Sequence, residues 1–296
     1  MSASFMFPPA GFGPGSQIGQ ADEELNYLAM PSGVTVYEPH VPEIEDPAIM
    51  AATLTFLENL QKQAQAWQEG DACLLPRHDL APASAAAVND ALGEGEVSAR
   101  LEDTAGLVEV QETVFAGVWS LRAYGGPHGQ DVREQVEVSA FPKALVARAF
   151  PAKRSRPDVA AGVRDGVVNA PAILTELFEQ SENWHPQSSP HVVNLSLLPH
   201  TPEDMDMLES CLGRGRLTIL SRGYGNCRIE ATATPHVWRV RYFNSMDTLI
   251  LDTIEVSCVP EVACAAPEDI ADSAIRLHEI CTVLRAESAS QQGVGA

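Results

Sequence analysis

The chain has 296 residues, with 40 acidic and 19 basic side chains and a formal charge of −21. An acidic field of this size repels phosphate backbones and anionic lipid surfaces, so nucleic-acid binding and membrane-surface binding are excluded as main activities. With 45% hydrophobic residues, the chain can bury a core of one large or two small domains.

Residues 1–45 are rich in Pro and Gly, hold six acids and no base, and lack periodicity, so an extended or disordered arm that orders on a partner is expected. The first base anywhere is Lys62, so no secretory leader is read, and no apolar run reaches the roughly 18 residues a membrane helix needs. A cytoplasmic location is the expectation.

Residues 46–142 form a first unit. Pro47 opens a helix with fixed φ and no wasted N–H, and Ile49, Thr53, Phe56, Leu57 and Leu60 recur at helical spacing. A strand follows around Cys73-Leu74-Leu75. A short helix runs from Pro82 to the Leu-Gly-x-Gly turn ending at Gly95. Four strands are then predicted at 96–102, 107–115, 117–124 and 132–140, joined too tightly for parallel crossovers and therefore an antiparallel meander.

Residues 143–166 carry Lys143, Arg148, Lys153, Arg154, Arg156 and Arg164 with two prolines, and read as a linker. Residues 167–260 repeat the first unit. Pro82–Gly95 (PASAAAVNDALGEG) aligns without a gap on Pro202–Gly215 (PEDMDMLESCLGRG) at an offset of 120. Val118–Arg122 (VWSLR) matches Val237–Arg241 (VWRVR), and Val136–Pro142 (VEVSAFP) matches Ile254–Pro260 (IEVSCVP). Upstream, Pro47-Ala-Ile-Met50 matches Pro171-Ala-Ile-Leu174, and Trp67 matches Trp184. Strands are expected at 192–198, 216–222, 227–234, 236–243 and 248–256. The fold class is therefore α+β: two tandem pseudo-symmetric repeats packed against each other, each with helices and a four-stranded antiparallel meander. In the last segment, 261–296, Pro267 opens a helix whose stripe of Ile270, Ala274, Leu277, Cys281 and Leu284 packs on its own domain.

The densest local signal is Leu220–Arg228, a hairpin tip bringing Arg222, Tyr224, Asn226, Cys227 and Arg228 together. Two guanidinium groups there suit a carboxylate, and a cysteine between arginines has reason to ionise at lower pH, favouring a reactive thiolate. The plainer reading makes Cys227 the first inward residue of its strand. From Leu212 to Met246 there are six arginines, including Arg239 and Arg241, against one acid, Glu230. Either the protein's own acids neutralise this patch or it docks an acidic partner segment.

Enzyme signatures are thin. No G-x-S-x-G, P-loop or H-E-x-x-H occurs, and Gly223-Tyr224-Gly225 lacks the third glycine of a dinucleotide fingerprint. His185, His191 and His200 lie in a proline-broken stretch without ligand spacing, and the cysteines at 73, 211, 227, 258, 264 and 281 form no C-x-x-C. No catalytic residue, metal or cofactor is expected.

The segments Leu220–Arg228, Tyr242–Val256 and Pro260–Asp269 resemble the C-terminal hallmark of the HupH/HyaF/HoxQ family of hydrogenase expression proteins. Gly13–Gln17, Leu25–Pro31, Leu92–Gly95, Gln111–Trp119 and Asn169–Leu174 are similar to it as well. The resemblance implies a cytoplasmic accessory protein for uptake [NiFe] hydrogenases, acting on the precursor of the iron–sulfur small subunit before its twin-arginine-dependent export and protecting it under oxygen. Rubredoxin-like or thioredoxin-like maturation proteins are further partners in that picture. A redox-active thiol protein, or a transient carrier of iron–sulfur clusters or metal working through Cys227, is the alternative in the same pathway.

Overall fold

The computed structural model describes residues 40–125, 131–151, 156–223 and 225–294. The expected arm therefore lies outside the described residues up to residue 39, as do Tyr224, Lys153 and Arg154.

Local chemistry sets the element boundaries. Helix α1 (Pro47–Ala66) starts where Asp46 accepts hydrogen bonds from the N–H groups of Ala48 and Ile49, and it buries Met50, Thr53, Phe56, Leu57, Leu60 and Ala64. Strand β1 (Cys73–Pro76) follows, then helix α2 (Pro82–Leu92), which ends at Gly93 with φ +56°. Gly95 completes that turn, because a Cβ there would lie 2.3 Å from the carbonyl oxygen of Thr113. Strands β2 (Val97–Asp103), β3 (Gly106–Glu112), β4 (Val118–Gly125) and β5 (Asp131–Val138) complete the first half.

The second half has helix α4 (Ala170–Glu182), strand β6 (His191–Asn194), helix α5 (Pro202–Leu212) and strands β7 (Leu217–Ser221), β8 (Asn226–Ala231), β9 (Val237–Phe243) and β10 (Leu249–Val256). Predicted strands 107–115 and 227–234 stop early for one reason. Thr113 Oγ1 accepts from Phe115 N, and Thr232 Oγ1 from Thr234 N, closing a side-chain turn in each half. The stretch 192–198 likewise leaves the sheet after Asn194 for a 3₁₀ turn at Leu195–Leu197.

The expected pair of separate four-stranded meanders gives way to one antiparallel sheet of ten strands, ordered β1-β5-β4-β3-β2-β7-β8-β9-β10-β6. Two effects produce it. The short strands β1 and β6 pair with β5 and β10, giving each half five strands. The halves also meet edge to edge through β2 and β7 rather than face to face, which satisfies two rows of ladder groups that would otherwise be open edges. The register pairs Val97 with Ser221, Ala99 with Ile219 and Leu101 with Leu217, so residues 120 apart exchange places across the join.

Residues 143–166 are more than a linker. Helix α3 (Lys143–Ala149) buries Leu145 and Ala149 while Arg148 makes two 2.9 Å bonds to Asp103. Arg156 and Arg164 reach Glu182 and Asp206 of the second half. An amphipathic turn inside a base-rich, proline-flanked stretch hid this helix.

Three cores result. Helices α1, α2 and α6 (Pro267–Val294) cover one face of the first half, and α4 and α5 cover the same face of the second. The opposite face carries a core shared by both halves under α3 and the turn at Glu261–Ala263. Trp119 and Trp238 anchor it, each donating its indole N–H to a backbone carbonyl, of Ser139 at 2.8 Å and Ser257 at 3.1 Å. The stripe of α6 is buried as expected, but against α1 in the first half rather than beside the second half from which it runs. Among the described residues no helix is long and apolar enough to cross a membrane.

Candidate functional site

Between the two helical layers, the middle of the sheet's helix-bearing face is uncovered and polar. One cross-strand row there reads Glu134, Arg122, Glu109, Arg100, Thr218, Glu230, Arg239 across six consecutive strand pairings. Opposite charges thus stand on neighbouring strands, where side chains come within reach. Arg122 pairs with Glu134 at 2.7 Å. At the far end Arg239 makes a two-pronged contact with Asp252, at 3.1 and 2.7 Å, and a third bond of 2.6 Å to Glu209 on α5. Burial alone would ease the proton off Arg239, but the carboxylates of Asp252 and Glu209 outweigh it and hold the guanidinium more firmly charged. Glu230 accepts from Arg228 at 2.8 Å and from Arg241.

The structure therefore brings Arg228, Arg239 and Arg241 together, each tied to the protein's own acids. Glu209 and Asp252 lie outside the segment 212–246, so a count along the chain missed the charges that fold brings back. Arg222 sits exposed at the end of β7, with its N–H on the carbonyl of Glu96, and Asn226 opens β8 with its amide 3.4 Å from Asp247. Cys227 joins neither group. It points to the opposite face, 4% exposed within the shared core.

That placement is the inward strand position, and it does not favour a reactive thiolate. Burial pushes the Cys227 thiol up to about 11, more than the hydrogen bond from Tyr242 lowers it, so the protonated thiol dominates near neutral pH. Burial also raises Cys264 to about 12 and Cys281 to about 11. Among the described residues no three His, Cys, Asp or Glu side chains are grouped to hold a metal ion. His191 instead bonds Glu176 at 2.8 Å, and His200 bonds the carbonyl of Leu198.

One feature of the polar face escaped sequence reasoning. A cavity of about 630 Å³ opens over the first half at Ser98, Arg100, Glu109, Gln111, Ser120 and Arg122, beneath the end of α2 at Asn89 and Glu94. A smaller cavity of about 360 Å³ lies over the second half, walled by Glu209, Arg214, Glu230, Arg239 and Arg241. The aligned repeat held the signal, since VWSLR against VWRVR sets Ser120 opposite Arg239.

Comparison with known proteins agrees with the length and pattern of these halves. The family model described as HupH hydrogenase expression protein, C-terminal conserved region, matches residues 49–162 and again 167–284. The chain is 46% identical to hydrogenase expression/formation protein HupH of Rhodobacter capsulatus, over 96% of this chain and 100% of that one. It is 45% identical to the HoxQ protein of the same description from Cupriavidus necator, over 94% and 97% of the two chains. Identity to hydrogenase-1 operon protein HyaF of Escherichia coli is 32%, over 91% and 94%. With one conserved region matched in each half of a continuous sheet, and relatives aligned nearly end to end, the chain belongs to the HupH family of hydrogenase expression proteins.

Proposed function

We propose that this protein is a non-catalytic scaffold in hydrogenase maturation, acting in the cytoplasm on the precursor of the iron–sulfur small subunit before twin-arginine export and shielding it under oxygen. The observation that carries the reading is the uncovered polar centre of the sheet. It is a broad surface between two helical layers, with a cavity large enough for side chains of another polypeptide. The names of the relatives, hydrogenase expression or formation proteins, supply the pathway. Two tandem copies joined by the β2–β7 strand pairing carry that surface on one continuous sheet.

Affinity isolation of the full-length chain from cells growing on hydrogen and oxygen tests this. Recovery of the small-subunit precursor with its leader uncleaved is the expected result. Absence of that precursor, or turnover of a small molecule by the purified chain unaided, sinks the proposal. Cys227→Ser separates the scaffold from a thiol relay: capture of the precursor and hydrogenase activity both persist for a scaffold, while a relay loses activity with capture intact.

A further inference from the structure

The two cavities on the polar face occupy corresponding places, and one of them already shows what it holds. Asn89, Glu94, Gln111, Ser120 and Arg122 of the first correspond to Glu209, Arg214, Glu230, Arg239 and Arg241 of the second, at offsets of 119 or 120. In the second half the chain's own Arg239 reaches across the cavity to Glu209 and Asp252, and the space that remains is about 360 Å³. In the first half Ser120 stands in its place, and about 630 Å³ stays open.

The walls of the open cavity favour a cation. Arg122 is neutralised by Glu134 at 2.7 Å, and Arg100 lies 3.8 Å from Glu102. Among the described residues neither Glu94 nor Glu109 makes an ion pair within 4.0 Å, while Glu109 stands opposite Arg122 on β4 and Arg100 on β2 and accepts the hydroxyl of Tyr124 at 3.0 Å. The amide nitrogen of Gln111 is committed to the carbonyls of Gly95, Val97 and Glu112, which leaves its oxygen as an acceptor. Unlike Arg239, an incoming guanidinium does not find the counterpart of Asp252 free, because Glu134 is held by Arg122, so Glu109 and Glu94 are the available carboxylates. A chain of charge −21 adds a long-range field that draws in positive partners.

We propose that the first-half cavity is a socket for an arginine side chain presented by a bound polypeptide, held by Glu94 and Glu109 rather than by counterparts of the two acids that hold Arg239. This deepens, and rests on, the reading of the polar face as the surface that holds a client.

The test titrates the full chain with an acetylated, amidated ten-residue Gly/Ser peptide carrying one arginine, followed by the amide resonances of Ser98, Gln111 and Ser120. The same peptide with citrulline, which keeps the shape and removes the charge, and with glutamate serve as comparisons. The arginine peptide should bind at least fivefold more tightly than either, and Ser120→Arg, which plugs the cavity from within, should abolish its effect. Glu94→Gln with Glu109→Gln should weaken binding at least threefold without introducing bulk, and decides the matter if Ser120→Arg does not fold. Equal or tighter binding of the citrulline or glutamate peptide, or full binding by a folded Ser120→Arg chain, overturns the socket. Capture of the small-subunit precursor by the wild-type chain is scored separately. If capture succeeds while the arginine peptide fails, the socket alone falls; if the wild type captures no precursor, the functional reading falls whatever the peptide does.

Discussion

Gly117 and His236 occupy the same turn in the two halves, and they solve the same covering problem differently. Each carbonyl accepts from a serine N–H, Ser139 at 3.0 Å and Ser257 at 2.9 Å, and each residue has positive φ, +76° and +62°. In the first half α6 lies directly over the turn, so close that a Cβ on Gly117 would sit 2.4 Å from Ile270. Among the described residues no third helix covers the second half, and His236 fills the gap itself, its ring centroid 3.7 Å from that of Trp184 and 5.8 Å from that of Phe150. One backbone thus tolerates two kinds of cover, and the side chain at the turn follows from what arrives above it. Placing His there accepts a left-handed conformation and a buried Nδ1 with no hydrogen-bond partner among the described residues.

The comparison extends to the start of α5, where Asp204 stands at the position that Ser84 takes in α2. Burial raises the carboxyl of Asp204, but the N–H groups of Ala170, Thr201, Val168 and Asn169 outweigh it and hold its pKa far below the usual carboxylate range. Asp204→Ala should therefore be the most damaging change, at about 4 kcal/mol, since it strands several buried donors. Because the folded pKa is depressed, this stabilisation is complete above about pH 4 and fades as the pH falls further. Hydrogen exchange should show α4 and α5 opening before α1 in acid, and uniform opening of both halves would contradict the assignment.

Next in size is Gly117→His, which imposes a clash with Ile270 as well as positive-φ strain and should cost about 3 kcal/mol by denaturant unfolding. Adding Ile270→Ala should relieve the clash, so the double variant loses less than the two separate losses summed. Simple additivity would mean that α6 is not what demands glycine. Arg239→Met should cost about 2 kcal/mol, because Asp252 is left buried and unpaired, while Arg122→Met in the more exposed first-half ladder should cost under about 1 kcal/mol. Equal losses would show that the two ladders are equally buried in energetic terms.

The smallest effect concerns pH at the aromatic stack. Burial lowers the pKa of His236, which favours the neutral ring in the fold, so the unfolded chain takes up the proton first as the pH drops below about 6.5. Stability should decline from that point toward the lower folded-state pKa, and His236→Gln should flatten this part of the curve by up to about 1 kcal/mol. An unchanged slope between pH 7 and 5 would remove His236 as its source.

Local signals made much of the architecture legible. Proline at the helix starts, the Leu-Gly-x-Gly turns and period-two alternation located the main helices and the strands of both halves, and the inward reading of Cys227 is the one its strand adopts. What stayed hidden was long-range. Nothing in β2 or β7 alone says that these two edges meet, because pairing depends on the absence of any other neighbour. The partners of Arg239 come from α5 and β10, 30 and 13 residues away, and no window along the chain collects them. The open cavity eluded attention because Ser98, Gln111 and Ser120 are ordinary residues. Only their comparison with Arg239 gives them meaning.

The ten-stranded sheet ends on β1 and β6, four residues each, and β1 finishes with Pro76, which has no N–H to offer a neighbour. Since the long inner edges are consumed by each other, the molecule is in effect its own homodimer and leaves only stubs for further strand addition. Edges this short, one of them ending on proline, disfavour polymerisation through sheet extension and offer a companion protein side chains rather than a long open ladder.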